Sequence, residues 1–368
     1  MKRILIISYE FPPVVGGAGS VAKDLAIGLS NECEVHVLTE WINDTETENR
    51  KTDGYVLHEV RSKRGLRPLN YWNYIKTLGV DSYHRIIIND ARASMVGSLF
   101  FSEELLKKTV VYIHGREPEE VIVNPGRLRK LLRYPQKYEG FLKGAGKIIS
   151  VSRYMKQKML DTGIDLDESK VEVIYNGIDQ NKFYPEKSDF RERHNIPEEK
   201  IILLSVSRIV KEKGYKEMAE IFKSAAMKDT GLHWVVAGSG EYLEELQTRI
   251  NSWELNGRVT FLGGVPRDEL REVYSAGDLY WLLSNFEEAL GLTYLEARFC
   301  GTPALARNKS GERETIIEGV TGHLTGSNED AESYILNREY MVLEDVEKKA
   351  DGYRLEDSIT KMKEVLEI

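Results

Sequence analysis

The sequence is short of several things that would narrow its class at once. Two cysteines in 368 residues, Cys33 and Cys300, give no metal-type spacing, so reduced thiols in a cytoplasmic protein are expected. No run approaches the roughly 18 uninterrupted apolar residues of a membrane-spanning helix. Met1–Ile7 is a charged start and a very short apolar run, without the longer apolar region and small-residue cleavage site of a signal peptide, and reads as a first β-strand. An excess of positive charge is also missing. The formal net charge is −8, which argues against a general nucleic-acid binder. What the chain does have is size: 368 residues are too many for one ordinary core and point to about two domains.

Short β-rich apolar runs alternate with longer helical patterns, the mark of an α/β protein with parallel sheets. The expected strands of the first half are 4–8, 34–39, 55–60, 85–89, 110–114 and 147–152. Asn176–Pro185 carries Asn, Gly, Asp and Pro turn signals and is the expected linker. A short helix over Asp189–Asn195 follows. The pattern then restarts with strands at 200–207, 232–238, 258–263, 278–283 and 302–306. This gives a first Rossmann-like domain over 1–180 and a second over 181–351. The polar helical stretch at about 352–368 is expected to pack back onto the first. Two such domains in series imply a cleft between them, with ligands at the carboxyl ends of the strands.

The first strand leads into YEFPPVVGGAGS and then a helix. Gly17, Gly19 and Ala22 fit G-x-G-x-x-A, and Glu40 ends the second strand, where a dinucleotide-binding fold keeps its ribose-binding acid. A nicotinamide oxidoreductase is therefore one reading. Against it, Tyr9 to Gly16 separate the strand from the glycine pair, and Pro12 and Pro13 make that loop stiff and extended. Glycines at a helix start still favour an anion, and a diphosphate at Gly16 and Gly17 fits. A plain structural turn is the bland alternative.

In the second half Arg208 and Lys213 lie five residues apart on a loop after a strand. A guanidinium fork and an ammonium there suit a diphosphate, against the alternative of a solvated basic loop. Gly238 ends a further strand. In SNFEEALGLTYLEARFCGTP, Glu288 and Glu296 are separated by seven residues, and a helix is expected to start at Gly291. A carboxylate can accept two hydrogen bonds from a vicinal diol, and the backbone N–H groups of Gly291 and Leu292 can hold a phosphate. In isolation both glutamates could equally be helix-surface residues.

Taken together these segments resemble glycosyltransferase family four, the retaining enzymes of GT-B architecture. The motifs are YEFPPVVGGAGSVAKDLAIGLS, ISVSRYMKQKM, VIYNGIDQNKFYP, VSRIVKEKG, VAGSGEY, FLGGVPRDELREVYSAGDLYWLLSNFEEALGLTYLEARFCGTPALA and SGERETIIEGVTGHL, which run in family order over most of 1–325. The resemblance implies two facing Rossmann-like domains and a nucleotide-sugar donor, UDP before GDP. It implies that Gly16 and Gly17 face the diphosphate, that Arg208 and Lys213 bind its phosphates, that Glu288 contacts the transferred sugar, and that Glu296 contacts the ribose. His114, ending VVYIH, would stand by the donor sugar and the reaction centre. No cofactor and no bound metal are implied. The sequence departs from the family at Ala289-Leu290-Gly291, where Gly-Phe-Gly is usual, and at Ser310-Gly311, where Gly-Gly is common. Glu288 is preferred over its neighbour Glu287 on the seven-residue spacing. Two other readings of the same architecture remain open: a nucleotide-sugar epimerase and a non-catalytic partner-binding subunit.

Two stretches of the first half, 61–76 and 127–137, each carry five basic residues and no acidic one. The first interleaves Arg61, Lys63, Arg64 and Arg67 with Tyr71, Trp72 and Tyr74. Cations attract anionic headgroups and aromatic rings settle at the interface, so peripheral contact with the inner face of an acidic membrane, beside a glycan or lipid-linked acceptor, is expected. A solvated helix face is the alternative.

Overall fold

The computed structural model describes residues 1–12, 16–41, 50–52, 54–63, 65–349 and 352–368. Pro13, Arg64 and the sequence-derived boundary at 351 lie outside them. The chain divides into two compact units, Met1–Asn176 with Leu355–Ile368, and Gly177–Arg354. These bounds differ by a few residues from the divisions at 180 and 351 read from turn chemistry.

The first unit holds β1 (Lys2–Ile7), β2 (Cys33–Glu40), β3 (Arg50–Thr52), β4 (Tyr55–Val60), β5 (Arg85–Ile88), β6 (Thr109–Ile113), β7 (Lys147–Ser150) and β8 (Val171–Val173). They form one sheet in the order β3-β4-β2-β1-β5-β6-β7-β8. All pairs are parallel except β3 with β4. Ile4, Leu5, Ile6 and Ile7 are all buried, as a strand covered by helices on both faces requires. β3 and β8 went unread in the sequence because three residues show no periodicity.

Helix Leu355–Leu366 belongs to this unit and lies on helix Gly17–Leu29. Their contact depends on Gly28, where a Cβ would stand 2.5 Å from Ile359 Cδ1. The Ser358 hydroxyl donates to Tyr175 O at 2.6 Å, and Lys363 pairs with Glu32 at 2.5 Å.

The second unit holds β9 (Ile201–Val206), β10 (Leu232–Ala237), β11 (Val259–Gly263), β12 (Leu279–Leu282), β13 (Ala304–Arg307) and β14 (Gly322–Thr325). The sheet is parallel throughout, in the order β11-β10-β9-β12-β13-β14. Every residue of β9 and β10 is buried. The core centres on Trp234 and Trp281, whose rings lie 5.1 Å apart. Ser205, buried between the strands, is satisfied because its hydroxyl accepts from Trp234 Nε1 at 3.0 Å and donates to Trp281 O at 2.8 Å.

In both sheets the chain leaves the middle in two directions. From β1 it passes to β2 on one side and later to β5 on the other; from β9 it passes to β10 and later to β12. The loops after β1 and β5, and those after β9 and β12, therefore diverge and leave a crevice at each sheet's carboxyl edge.

Candidate functional site

In the first unit the crevice is held by Asn89 and Asp90, directly after β5. The buried Asn89 amide donates to Ser8 Oγ at 3.0 Å and to Ala18 O at 2.9 Å, while its Oδ1 lies 3.1 Å from His114 Nε2. Asp90 Oδ2 accepts from Tyr9 N at 2.5 Å, Glu10 N at 3.2 Å and the Ser8 hydroxyl at 3.1 Å. Its Oδ1 accepts from Arg92 N and Ala93 N, each at 2.9 Å. One asparagine thus bonds to both the glycine-loop helix and His114.

Gly16 caps helix Gly17–Leu29 in an extended conformation, and the first N–H groups of that helix have no intrahelical partner. Nothing stands within 4 Å of a Cβ at Gly17, so its backbone is open to approach. A Cβ at Gly16 would stand 2.4 Å from Glu10 Oε2, so an acidic side chain lies against the helix start. Gly19 is explained by packing, since a Cβ there would come within 2.9 Å of the Glu10 carbonyl. Glu40, the residue that suggested a dinucleotide, has its Oε1 engaged by the Ser62 hydroxyl at 2.5 Å and by Arg67 at 3.6 Å.

His114 is half-buried and stacked on Tyr112 with ring centres 4.7 Å apart. Desolvation pushes its pKa down to about 3, so the ring is neutral at ordinary pH. Three residues on, Glu117 Oε2 accepts from Gly115 N at 2.8 Å. Desolvation pushes the Glu117 carboxyl up to about 7, against the backbone N–H groups that it accepts from. Asn89, Asp90 and Glu117 were not singled out in the sequence. The available signal was position, because a polar pair directly after an apolar strand sits at the sheet's carboxyl edge.

In the second unit Arg208 follows β9 and is exposed, with no ion pair among the described residues. Lys213 does have a partner. Its Nζ lies 2.5 Å from Glu288 Oε1, with the two side chains 16% and 13% exposed. The two residues assigned separately to phosphate and sugar are each other's counter-ions. Gly214, next in the chain, has φ 78°, and a Cβ there would lie 2.0 Å from Leu283 O. That close approach seats the Lys213 turn against the end of β12.

The Glu288 loop is braced from the segment after β13. Glu288 N donates to Ser310 Oγ at 3.0 Å and Gly311 N donates to Glu288 O at 2.9 Å. Ser310 in turn donates from Oγ, at 2.5 Å, and from N, at 3.0 Å, to Glu312 Oε2. Glu312 is fully buried, and its pKa is pushed up to about 7, chiefly by desolvation.

Gly291 has φ 83° and caps helix Leu292–Phe299. The backbone N–H groups of Leu292 and Thr293 carry no hydrogen bond among the described residues. Glu296, on the same helix, is 6% exposed; its Oε2 accepts from the Tyr274 hydroxyl at 2.8 Å and its Oε1 lies 3.3 Å from Arg267 Nη2. Gly238 has φ 140°, and a Cβ there would lie 1.9 Å from Ser207 O. The glycine lets the loop carrying Arg208 approach.

The aromatic part of the argument for 61–76 is corrected. Helix Arg67–Thr77 turns Tyr71 fully inward, stacked on Tyr9 at 4.2 Å. Trp72 stacks on Phe100 at 6.0 Å, and the Tyr74 hydroxyl lies 3.3 Å from His58 Nδ1. Tyr71 belongs to the first unit's core, and Trp72 and Tyr74, partly buried, pack against it. The stretch 127–137 differs: Leu128, Leu131 and Leu132 stand 68%, 79% and 58% exposed among Arg127, Arg129, Lys130 and Arg133. No helix among the described residues is long and apolar enough to cross a membrane, and no three metal-ligating side chains there could hold a metal ion.

Comparison with known proteins adds the following. The family model described as Glycosyltransferase Family 4 matches residues 15–182, and that described as Glycosyl transferases group 1 matches 186–350. An uncharacterised glycosyltransferase of Methanocaldococcus jannaschii is 27% identical over 339 residues, covering 87% of this chain and 84% of its own. A GDP-mannose-dependent α-(1-6)-phosphatidylinositol monomannoside mannosyltransferase of Mycobacterium tuberculosis is 29% identical over 351 residues, covering 88% and 84%. Among solved structures, Anabaena HepE in complex with UDP and glucose superposes with a TM-score of 0.79 at 18% identity, covering all of both chains. Sucrose-phosphate synthase from Thermosynechococcus elongatus superposes with a TM-score of 0.82 at 17% identity, covering 100% of this chain and 98% of its own.

Proposed function

The chain belongs to glycosyltransferase family four, with the GT-B fold, and on that premise we propose that it moves a hexose from a nucleoside-diphosphate sugar to a hydroxyl of a glycan or lipid-linked acceptor. The anomeric configuration is retained, no metal is needed, and the donor is a UDP-sugar in the first instance. The observation that carries this reading is the grouping after β9 and β12: the Lys213–Glu288 pair, and Arg208 and the backbone N–H groups of Leu292 and Thr293, which have no ion pair or hydrogen bond among the described residues. Cations and amide dipoles stabilise a leaving diphosphate, where negative charge grows in the transition state. Glu288 is assigned to the transferred sugar and Glu296 to the ribose. Gly16, Gly17 and His114 serve the diphosphate and the sugar.

The named relatives lean both ways on the nucleotide, since the mycobacterial enzyme is GDP-mannose-dependent and HepE was solved with UDP. Acceptor approach from an anionic membrane surface rests on the exposed leucines and cations of 127–133. Calorimetric titration with UDP, GDP, ADP and NADH in the presence of EDTA tests the reading. Binding of one nucleoside diphosphate supports it and narrows the sugar. Binding of NADH with none of the others overturns it.

A further inference from the structure

Asn89 meets three elements with one side chain, and its hydrogen bonds leave no freedom in how that amide is oriented. Ala18 O is a carbonyl and only accepts, so the Asn89 atom 2.9 Å from it is the amide nitrogen. The oxygen therefore faces His114 Nε2, at 3.1 Å. An amide oxygen cannot donate, so His114 Nε2 carries the proton and Nδ1 of the neutral ring is a bare acceptor. The Asn89 backbone carbonyl also faces the ring as an acceptor, and the ring is half-buried and stacked on Tyr112.

We infer that Asn89 is a positioning residue for sugar transfer: it fixes His114 in the Nε2–H tautomer, ties that ring to the start of helix Gly17–Leu29, and presents His114 Nδ1 as a hydrogen-bond acceptor to a hydroxyl of the donor sugar. This rests on the reading of the protein as a glycosyltransferase. Under it His114 is a neutral acceptor and not a general acid. Sugars that lack the hydroxyl, or carry a carboxylate in its place, are disfavoured, because Nδ1 then faces nothing or a second acceptor.

The titratable groups on the two segments that meet here are Tyr112 and Glu117, on β6 and its loop, and Asp90 beside Asn89. Replacing Asn89 by aspartate puts a carboxylate against Nε2, removes both amide donors, and favours the imidazolium. The test is nitrogen-15 NMR of the full-length protein, with the His114 signals identified by their loss in His114→Gln, together with steady-state kinetics. The expected result is the Nε2–H tautomer in the wild type. In Asn89→Asp we expect a ring pKa above that of the wild type and a kcat lower by about tenfold, the effect of one hydrogen bond in the transition state. An Nδ1–H tautomer in the wild type, or an undiminished kcat in a folded Asn89→Asp protein, overturns the inference. If the wild type moves no sugar from any nucleoside-diphosphate donor, the proposed function falls and the positioning role with it, while the tautomer is still read directly.

Discussion

Lys213 Nζ and Glu288 Oε1 stand 2.5 Å apart, each side chain largely withdrawn from water, so the residue assigned to phosphate neutralises the residue assigned to sugar. The pair keeps two charges satisfied. Truncating either one leaves the other half-solvated and unpaired, and each alanine variant should lose about 1–3 kcal/mol of stability. The double variant should lose clearly less than the sum, as a urea-unfolding cycle would reveal. Function should separate the two. Lys213→Ala should weaken nucleoside-diphosphate binding by about 1.5–3 kcal/mol, the worth of a hydrogen bond to a charged group, whereas Glu288→Ala should bind the nucleotide and fail to transfer.

Glu312 gives a prediction in pH. Its folded pKa is raised from the ordinary 4.5 to about 7, mainly because burial disfavours its charge. Between those values the folded state keeps a proton that the unfolded state releases, so stability falls as pH rises. The contribution is complete below about 4.5 and is lost as pH rises to about 7. In Glu312→Gln this fall should vanish, because the amide oxygen still accepts from Ser310 and no proton is bound. Thermal melts of both proteins from pH 4 to 8 give the difference directly. Parallel curves would show that Glu312 is ionised in the fold.

The sheets could be read from the sequence because strands buried on both faces are nearly continuous apolar runs, as in β1, β9 and β10. The candidate site was legible only in part. Arg208 and Lys213 were singled out as cations on a loop after a strand, whereas the roles given to Glu288 and His114 came from the family resemblance. Asn89 was not singled out, since it extended the apolar run 85–88 and passed for the last residue of a strand. Ser310 registered as a departure from a glycine pair, and only the fold revealed its bond to the Glu288 backbone. The rings of 61–76 misled because composition does not say which face of a helix is inward. Tyr71 and Ile75, four apart on helix Arg67–Thr77, are both buried.

Glu10 lies against Gly16, at the start of a helix assigned to a diphosphate. Like charges at that spot oppose each other. Glu10→Gln should therefore tighten nucleoside-diphosphate binding by about 0.3–1 kcal/mol, measured by calorimetry at low salt, with the gain shrinking as salt is added. Weaker binding in the variant would mean that Glu10 contacts the ligand favourably, and the diphosphate would have to be placed elsewhere.

Leu128, Leu131 and Leu132 present apolar surface to solvent beside four cations. Burying a leucine side chain in the interfacial region of a bilayer is worth about 1.5–3 kcal/mol, and each nearby cation adds about 1 kcal/mol at an anionic surface. The protein should therefore sediment with vesicles containing anionic lipid at low salt and stay in solution with zwitterionic ones. Replacing the three leucines by serine should abolish sedimentation while changing thermal stability and nucleotide affinity little, because these side chains are mostly exposed. Replacing Arg127, Arg129, Lys130 and Arg133 by glutamine should weaken binding and remove most of its salt dependence. If the leucine variant still sediments, the stretch 127–133 is a solvated face and the acceptor reaches the enzyme by another surface.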